Sequence, residues 1–197
     1  AMDDDARFLP VGCKPESAGD EARRIARMRK AAFLMQLKAE GHIIERRPEY
    51  GMECRDILKN IDYAKGEFCG ARLNSVSFPG ADPADPLRFS AAEREVIDGL
   101  KRSFRTSEKL SRHMAFFIRN GSAYKICNDN LIFHGCVPLN EDGSYMNFCG
   151  HEGRDLLDHC ESLVRRAYRA FYAGGHDEEA EDFFWYLWCG RCSPLYG

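Results

Sequence analysis

The chain has 197 residues, 44% of them hydrophobic and 30% charged, with a formal net charge of −3. This is ordinary globular composition, long enough for a core of its own, and the near-neutral charge argues against a nucleic-acid partner. No apolar run reaches the roughly 20 residues that a membrane helix needs and no secretory signal is present, so no membrane partner is expected. The elements then follow in chain order. Residues 1–17 read as irregular, with Pro10, Gly12 and Pro15, and Ala1-Met2 as a cloning remnant. Ser17 or Asp20 is placed to cap a helix over 18–41, with an apolar stripe through Ile25, Met28, Ala32, Met35 and Ala39 and a stop at Gly41. Its basic run Arg23, Arg24, Arg27, Arg29 and Lys30 reads as a solvated face flanking that stripe rather than a phosphate or nucleic-acid site.

A short helix is expected over 53–60. A small hairpin should follow over 61–70, turning at Lys65-Gly66. Residues 77–90, with Pro79, Gly80, Pro83 and Pro86, read as an extended loop. Ser90 and Glu93 form a capping box that opens a helix running to about 104. Ser107 opens another, ending at Asn120-Gly121. Next comes a strand over 123–127, a tight turn at Asn128–Asn130, and a strand Leu131-Ile132-Phe133 that stops at His134-Gly135. Three apolar residues in a row predict burial on both faces. Residues 139–152 read as a loop. The clearest helical period covers 154–173, through Leu156, Cys160, Leu163, Ala167 and Phe171. A last, aromatic-rich helix over 177–188 holds Phe183, Phe184, Trp185, Tyr186 and Trp188, dense enough to predict burial.

Candidate chemistry centres on His134. A histidine at the carboxyl end of a strand, followed by glycine, sits where open α/β sheets place ligand and metal sites, and the glycine gives room for close approach to a bound group. The plainer alternative is a buried histidine capping the strand through a backbone carbonyl. Lys109, Arg112 and His113 lie within one helical turn and form a candidate sugar-phosphate site, the arginine in bidentate fashion; the alternative is an ordinary charged surface. Nine cysteines without regular spacing read as free thiols in a reducing, cytoplasmic compartment, with Cys127 and Cys160 packed as small hydrophobes. Cys189-Gly190-Arg191-Cys192 closes a helix rather than opening one and has no second pair, so it reads as two free thiols rather than a redox or zinc site.

The stretch Leu131-Ile132-Phe133-His134-Gly135-Cys136-Val137-Pro138-Leu139-Asn140-Glu141-Asp142-Gly143-Ser144 resembles the class III fructose-1,6-bisphosphatases, the long bacterial type in the calcineurin-like metallophosphoesterase superfamily. The resemblance extends to Leu37–Ile44, Arg46–Glu49, Arg102–Phe104, Ser107–His113, Trp185–Gly190 and Ser193–Gly197. It implies hydrolysis of the 1-phosphate of fructose 1,6-bisphosphate by metal-activated water, a gluconeogenic step, with Mn²⁺ as cofactor and His134 as a metal ligand. No Asp-x-His or Gly-Asp-x-x-Asp of the superfamily is present, and Gly150-His151 and Gly175-His176 read as coincidences. The chain is therefore expected to be an internal fragment, inactive alone. The expected fold is α/β, with α+β as the alternative: a fragment of a metallophosphoesterase-type fold with a helix-rich accessory region and β-hairpins. It reads as a single domain or domain fragment, with 1–120 mainly helical and 121–197 carrying the His134 strand pair and the C-terminal helices. Expected partners are the sugar bisphosphate and a further copy of the chain in a homo-oligomer. The rival reading is a non-catalytic helical interaction module that binds through the 23–30 and 183–188 helices. A third is a small zinc protein built on Cys189 and Cys192.

Overall fold

The computed structural model describes residues 8–9, 19–74 and 77–196. The irregular start, the Ser17 cap and Cys13 lie outside the described residues, apart from Phe8 and Leu9. The chain is mixed helix and short strand, as expected, and among the described residues both sheets are antiparallel. It divides into two compact units, 1–97 and 98–197. Among the described residues no helix is long and apolar enough to cross a membrane.

The first unit is built on helix α1, Asp20–Arg46. The helix does not stop at Gly41. It ends before Pro48, because a proline disfavours helical backbone in the residue preceding it. Gly41 lies inside the helix for a packing reason: a Cβ there would come within 2.5 Å of Cδ2 of buried Leu87. The buried face also differs from the expected stripe. Ala31, Leu34, Met35, Leu37, Lys38, Gly41 and Ile44 are buried, whereas Ile25, Met28, Ala32 and Ala39 are exposed. The apolar pattern misleads because a lysine belongs to the core face.

Lys38 is fully buried, and its ammonium donates to Gly80 O at 2.6 Å, Arg88 O at 2.9 Å and both Glu93 carboxylate oxygens at 2.9 Å. Glu93 is the third residue of helix α2, Ala91–Thr106. Its Oε2 also accepts from Ser90 N at 2.7 Å, while Ser90 Oγ accepts from Glu93 N at 3.2 Å, so the capping box forms as read. One carboxylate thus caps a helix and neutralises a buried cation. The surrounding core holds Leu34, Leu37, Leu58, Ile61 and Leu87. A three-stranded sheet of β1 (Ile61–Asp62), β2 (Glu67–Phe68) and β3 (Ala71–Arg72) carries the predicted hairpin plus one strand more. The expected helix over 53–60 shrinks to a single 3₁₀ turn, Glu53–Arg55. The basic run of α1 is a solvated face where its partners are seen: Arg24 pairs with Glu21 at 2.9 Å, and Arg23 pairs with Asp20.

The second unit holds α3 (Glu108–Asn120), the hairpin β4 (Tyr124–Cys127) and β5 (Asn130–Phe133), α4 (Gly153–Tyr172) and α5 (Glu178–Cys189). Ser107 Oγ accepts from Leu110 N and Asp177 Oδ1 accepts from Ala180 N, which fixes the starts of α3 and α5. The core forms where α4 packs on α5. Leu156, Leu157, Cys160 and Leu163 of α4 are buried there, as are Phe148 and, on α5, Ala180, Phe183, Tyr186 and Leu187. Phe148 stacks on Tyr186 with ring centres 4.5 Å apart. Arg166 of α4 grips both Asp177 oxygens at 3.0 Å and Glu179 at 2.9 Å, tying it to the start of α5. The aromatic helix buries Phe183 and Tyr186 but leaves Phe184 and Trp188 exposed.

Replacing Lys38 with Met should strand the Glu93 carboxylate in the core and lower stability by about 3–5 kcal/mol. Urea unfolding would show this, and adding Glu93→Leu should recover part of the loss. A Lys38→Met chain as stable as the original would contradict the buried pair. In the second unit, burial pushes the Cys160 thiol up to about 12. Native-state labelling with a thiol reagent near pH 8 should modify exposed Cys54, Cys69 and Cys127 first and Cys160 only as the chain opens. Equal rates would contradict the packed α4–α5 interface.

Candidate functional site

The β4–β5 hairpin turns at Asn128 and Asp129, both in the left-handed region at φ 50° and 61°. Asn and Asp tolerate that backbone, and two such residues in sequence make the tight turn that matches strand twist. Tyr124 pairs with Phe133, Lys125 with Ile132 and Ile126 with Leu131. The strand expected to be buried on both faces is not. Every residue of β5 is exposed, because among the described residues this sheet has two strands and β5 pairs only with β4. Cys127, read as a packed hydrophobe, is exposed on the same hairpin, while Cys160 is buried as read.

A polar network anchors the start of β4. Tyr124 donates its hydroxyl hydrogen to Asp158 at 2.9 Å and accepts from Arg154 Nε at 2.8 Å. Glu161 Oε2 accepts from Ser122 Oγ at 3.0 Å and Ala123 N at 3.2 Å. Arg165 donates to Glu161 Oε1 at 2.7 Å and to the carbonyls of Ile118 and Gly121. Burial works to raise the Glu161 carboxyl, but the hydrogen bonds from Arg165, Ala123 and Ser122 outweigh it and hold the group below its ordinary value. Ser122, Tyr124, Asp158, Glu161 and Arg165 line an open groove of about 580 Å³ beside β4.

His134 follows β5 directly and is exposed. The alternative of a buried strand-capping histidine therefore does not hold. Gly135 has φ +76°, and a Cβ on it would lie 2.4 Å from Pro194 O. The space expected for a bound group is taken by the chain's own backbone. Cys136 N donates to Pro194 O at 3.2 Å, and its thiol points to the carbonyls of Ser193 and Tyr196. Ser193, fully buried, donates to Leu187 O at 2.7 Å and so seats this tail on α5. The sequence marked the glycine but carried no signal for the residue that packs on it.

Among the described residues no group of three or more His, Cys, Asp or Glu side chains is arranged to hold a metal ion. His134 is a single donor, and the described residues do not by themselves make a metal site. Lys109, Arg112 and His113 share the exposed surface of α3, and no hydrogen bond or ion pair joins them to His134. Gly150-His151 and Gly175-His176 serve local structure: His176 Nδ1 lies 2.8 Å from Glu181, and His151 Nδ1 lies 2.6 Å from Asp155. Sequence reading missed that His151 also stacks on His159, ring centres 3.7 Å apart. Burial, then the neighbouring His151, lowers the His159 pKa. The Cys189 thiol points to Trp185 O at 3.5 Å, and the Cys192 thiol lies 3.2 Å from Met146 Sδ.

The model of the Firmicute fructose-1,6-bisphosphatase family matches residues 2–197. A protein of Bacteroides fragilis named fructose-1,6-bisphosphatase class 3 is 44% identical over 184 residues, covering 88% of this chain and 27% of its own length. Proteins of the same name from Parabacteroides distasonis and Clostridioides difficile are 40% and 42% identical, covering 97% and 96% of this chain and 30% of their own. The chain thus spans less than a third of the length of these curated relatives. No solved structure matches it. Since the match takes in the helices of the first unit as well as the His134 hairpin and the tail that packs on Gly135, the chain belongs to the Firmicute fructose-1,6-bisphosphatase family.

Proposed function

We propose that the chain is part of an enzyme that hydrolyses the 1-phosphate of fructose 1,6-bisphosphate to fructose 6-phosphate by metal-activated water, and that it is inactive alone. The observation that carries this reading is the family match along residues 2–197, with relatives that carry the enzyme's name but are more than three times as long. His134 would supply one ligand to a Mn²⁺ site whose other donors lie outside this chain. The isolated donor at the end of β5 supports that incompleteness. Lys109, Arg112 and His113 would meet a phosphate from the surface of α3, with the guanidinium as a two-point donor. The free thiols of Cys54, Cys69, Cys127, Cys136, Cys160 and Cys192 support a reducing, cytoplasmic location.

One observation favours the second reading, a non-catalytic interaction module: α3 has no buried residue and exposes both Phe116 and Phe117. Phosphate release from fructose 1,6-bisphosphate with Mn²⁺ separates the two. The chain should be inert, while the full-length Clostridioides difficile relative should release phosphate and lose that activity on substitution at the position aligned with His134. Phosphate release by the purified 197-residue chain would refute the proposed incompleteness. Silence from both would move the weight to the interaction module.

A further inference from the structure

The turn that leads into α4 is closed by two backbone bonds: Phe148 N donates to His151 O at 2.8 Å, and His151 N donates to Phe148 O at 3.0 Å. Its central residues, Cys149 and Gly150, are both in the left-handed region, at φ 51° and 86°. Both ends of the turn are gripped by rings. Phe148 stacks on Tyr186 of α5. The His151 ring lies on His159 of α4, 3.7 Å centre to centre and 15° from parallel. His159 also meets the Phe183 ring of α5 edge to face at 5.6 Å.

Stacked imidazoles hold together while at most one of them is charged. Two imidazoliums at this separation repel, and no water fits between the rings to screen them. Asp155 on α4, 2.6 Å from His151 Nδ1, can balance one charge. A charge on His159 is opposed by burial, by His151 and by Arg166 of α4, and is favoured by Asp155 and by Glu179 of α5. Glu179 is already engaged by Arg166 at 2.9 Å.

We propose that the stacked His151–His159 pair is a proton-operated latch: with one ring neutral it holds the 148–151 turn on α4, and when both rings are protonated they part and release the turn. The release reaches the candidate site. Met146, two residues before the turn, lies 3.2 Å from the Cys192 thiol. The next residues of that tail, Ser193 and Pro194, hold Cys136 and Gly135. Acid thus loosens the backbone that follows His134 while the apolar packing of α4 on α5 persists. The latch concerns the chain's own structure and stands whether or not the chain is part of a phosphatase. Released from the stack, His159 regains the ordinary histidine value near 6.5, above its value in the closed form. The open form therefore binds more protons, so opening is suppressed above about pH 6.5 and favoured as pH falls below it.

The test is hydrogen exchange of the purified chain between about pH 7.5 and pH 5, corrected for the intrinsic pH dependence of exchange. Below about pH 6.5 the Phe148, His151 and Cys136 amides should exchange faster, by up to about tenfold per pH unit for one extra proton. Amides in α4 and α5 should stay protected, which controls for folding. His159→Phe and His151→Phe each keep an aromatic stack but leave one titrating ring, and both should abolish the acid response. Asp155→Asn removes the balancing carboxylate and should move the response to higher pH. A turn equally protected at both ends of the range overturns the latch, as does an acid response that survives in either Phe variant. A turn that opens while the Cys136 amide stays protected overturns the link to the backbone after His134. Loss of protection in α4 and α5 in step with the turn makes the event global acid unfolding and overturns the proposal as well.

Discussion

The first unit depends on one buried ammonium. Lys38 has three protons to donate and no water to receive them, so every acceptor must come from the fold. The acceptors are spread widely in sequence: the carbonyls of Gly80 and Arg88 lie 42 and 50 residues away, and the Glu93 carboxylate 55 away. Satisfying one side chain therefore fixes the proline-rich loop, the turn before α2 and the start of α2 against the middle of α1. Breaking such a pair costs more than the pair contributes, because the surviving charge is left without solvent. The arrangement specifies where the loop must lie more than it adds to net stability.

Local signals were legible and non-local ones were not. Ser90 with Glu93, Ser107 with Leu110 N, and Asp177 with Ala180 N are bonds between residues three apart, so a reader of the sequence meets both partners together. The Asn128-Asp129 turn and the α4 period belong to the same class. The inner face of α1 was misread because Lys38 counts as polar until Glu93 is seen beside it. The stop assigned to Gly41 failed for a similar reason: Leu87 and Asp56, both farther along the chain, occupy the space a side chain would need there. At the candidate site, His134 at a strand end was readable from the sequence. The exposure of β5 was not, since an apolar run reports what a strand can bury and says nothing about whether a covering layer is present in the same chain.

The two units meet their hydrophobic demands differently. The first gathers α1, its loop and a small sheet around Leu34, Leu37, Leu58 and Leu87. The second concentrates burial between α4 and α5 and leaves α3 and the hairpin with no fully buried side chain. Its order at the hairpin comes from polar anchors: Asp158, Glu161 and Arg165 hold the strand's entry while its apolar residues stay in water. Directional bonds can hold a strand in place without covering it, which leaves the face open and still correctly aligned.

The seat of Gly135 on Pro194 has a consequence in time. The backbone that follows His134 is locked by residues some 57 to 60 positions later, through the Cys136 contacts with Ser193 and Tyr196. At a synthesis rate of roughly 5–20 residues per second, a ribosome needs about 3–12 s to make that stretch. During that interval α4 and α5 must form and pack before the tail they carry can reach the turn. The turn that follows His134 is thus made well before the tail that sets it in place.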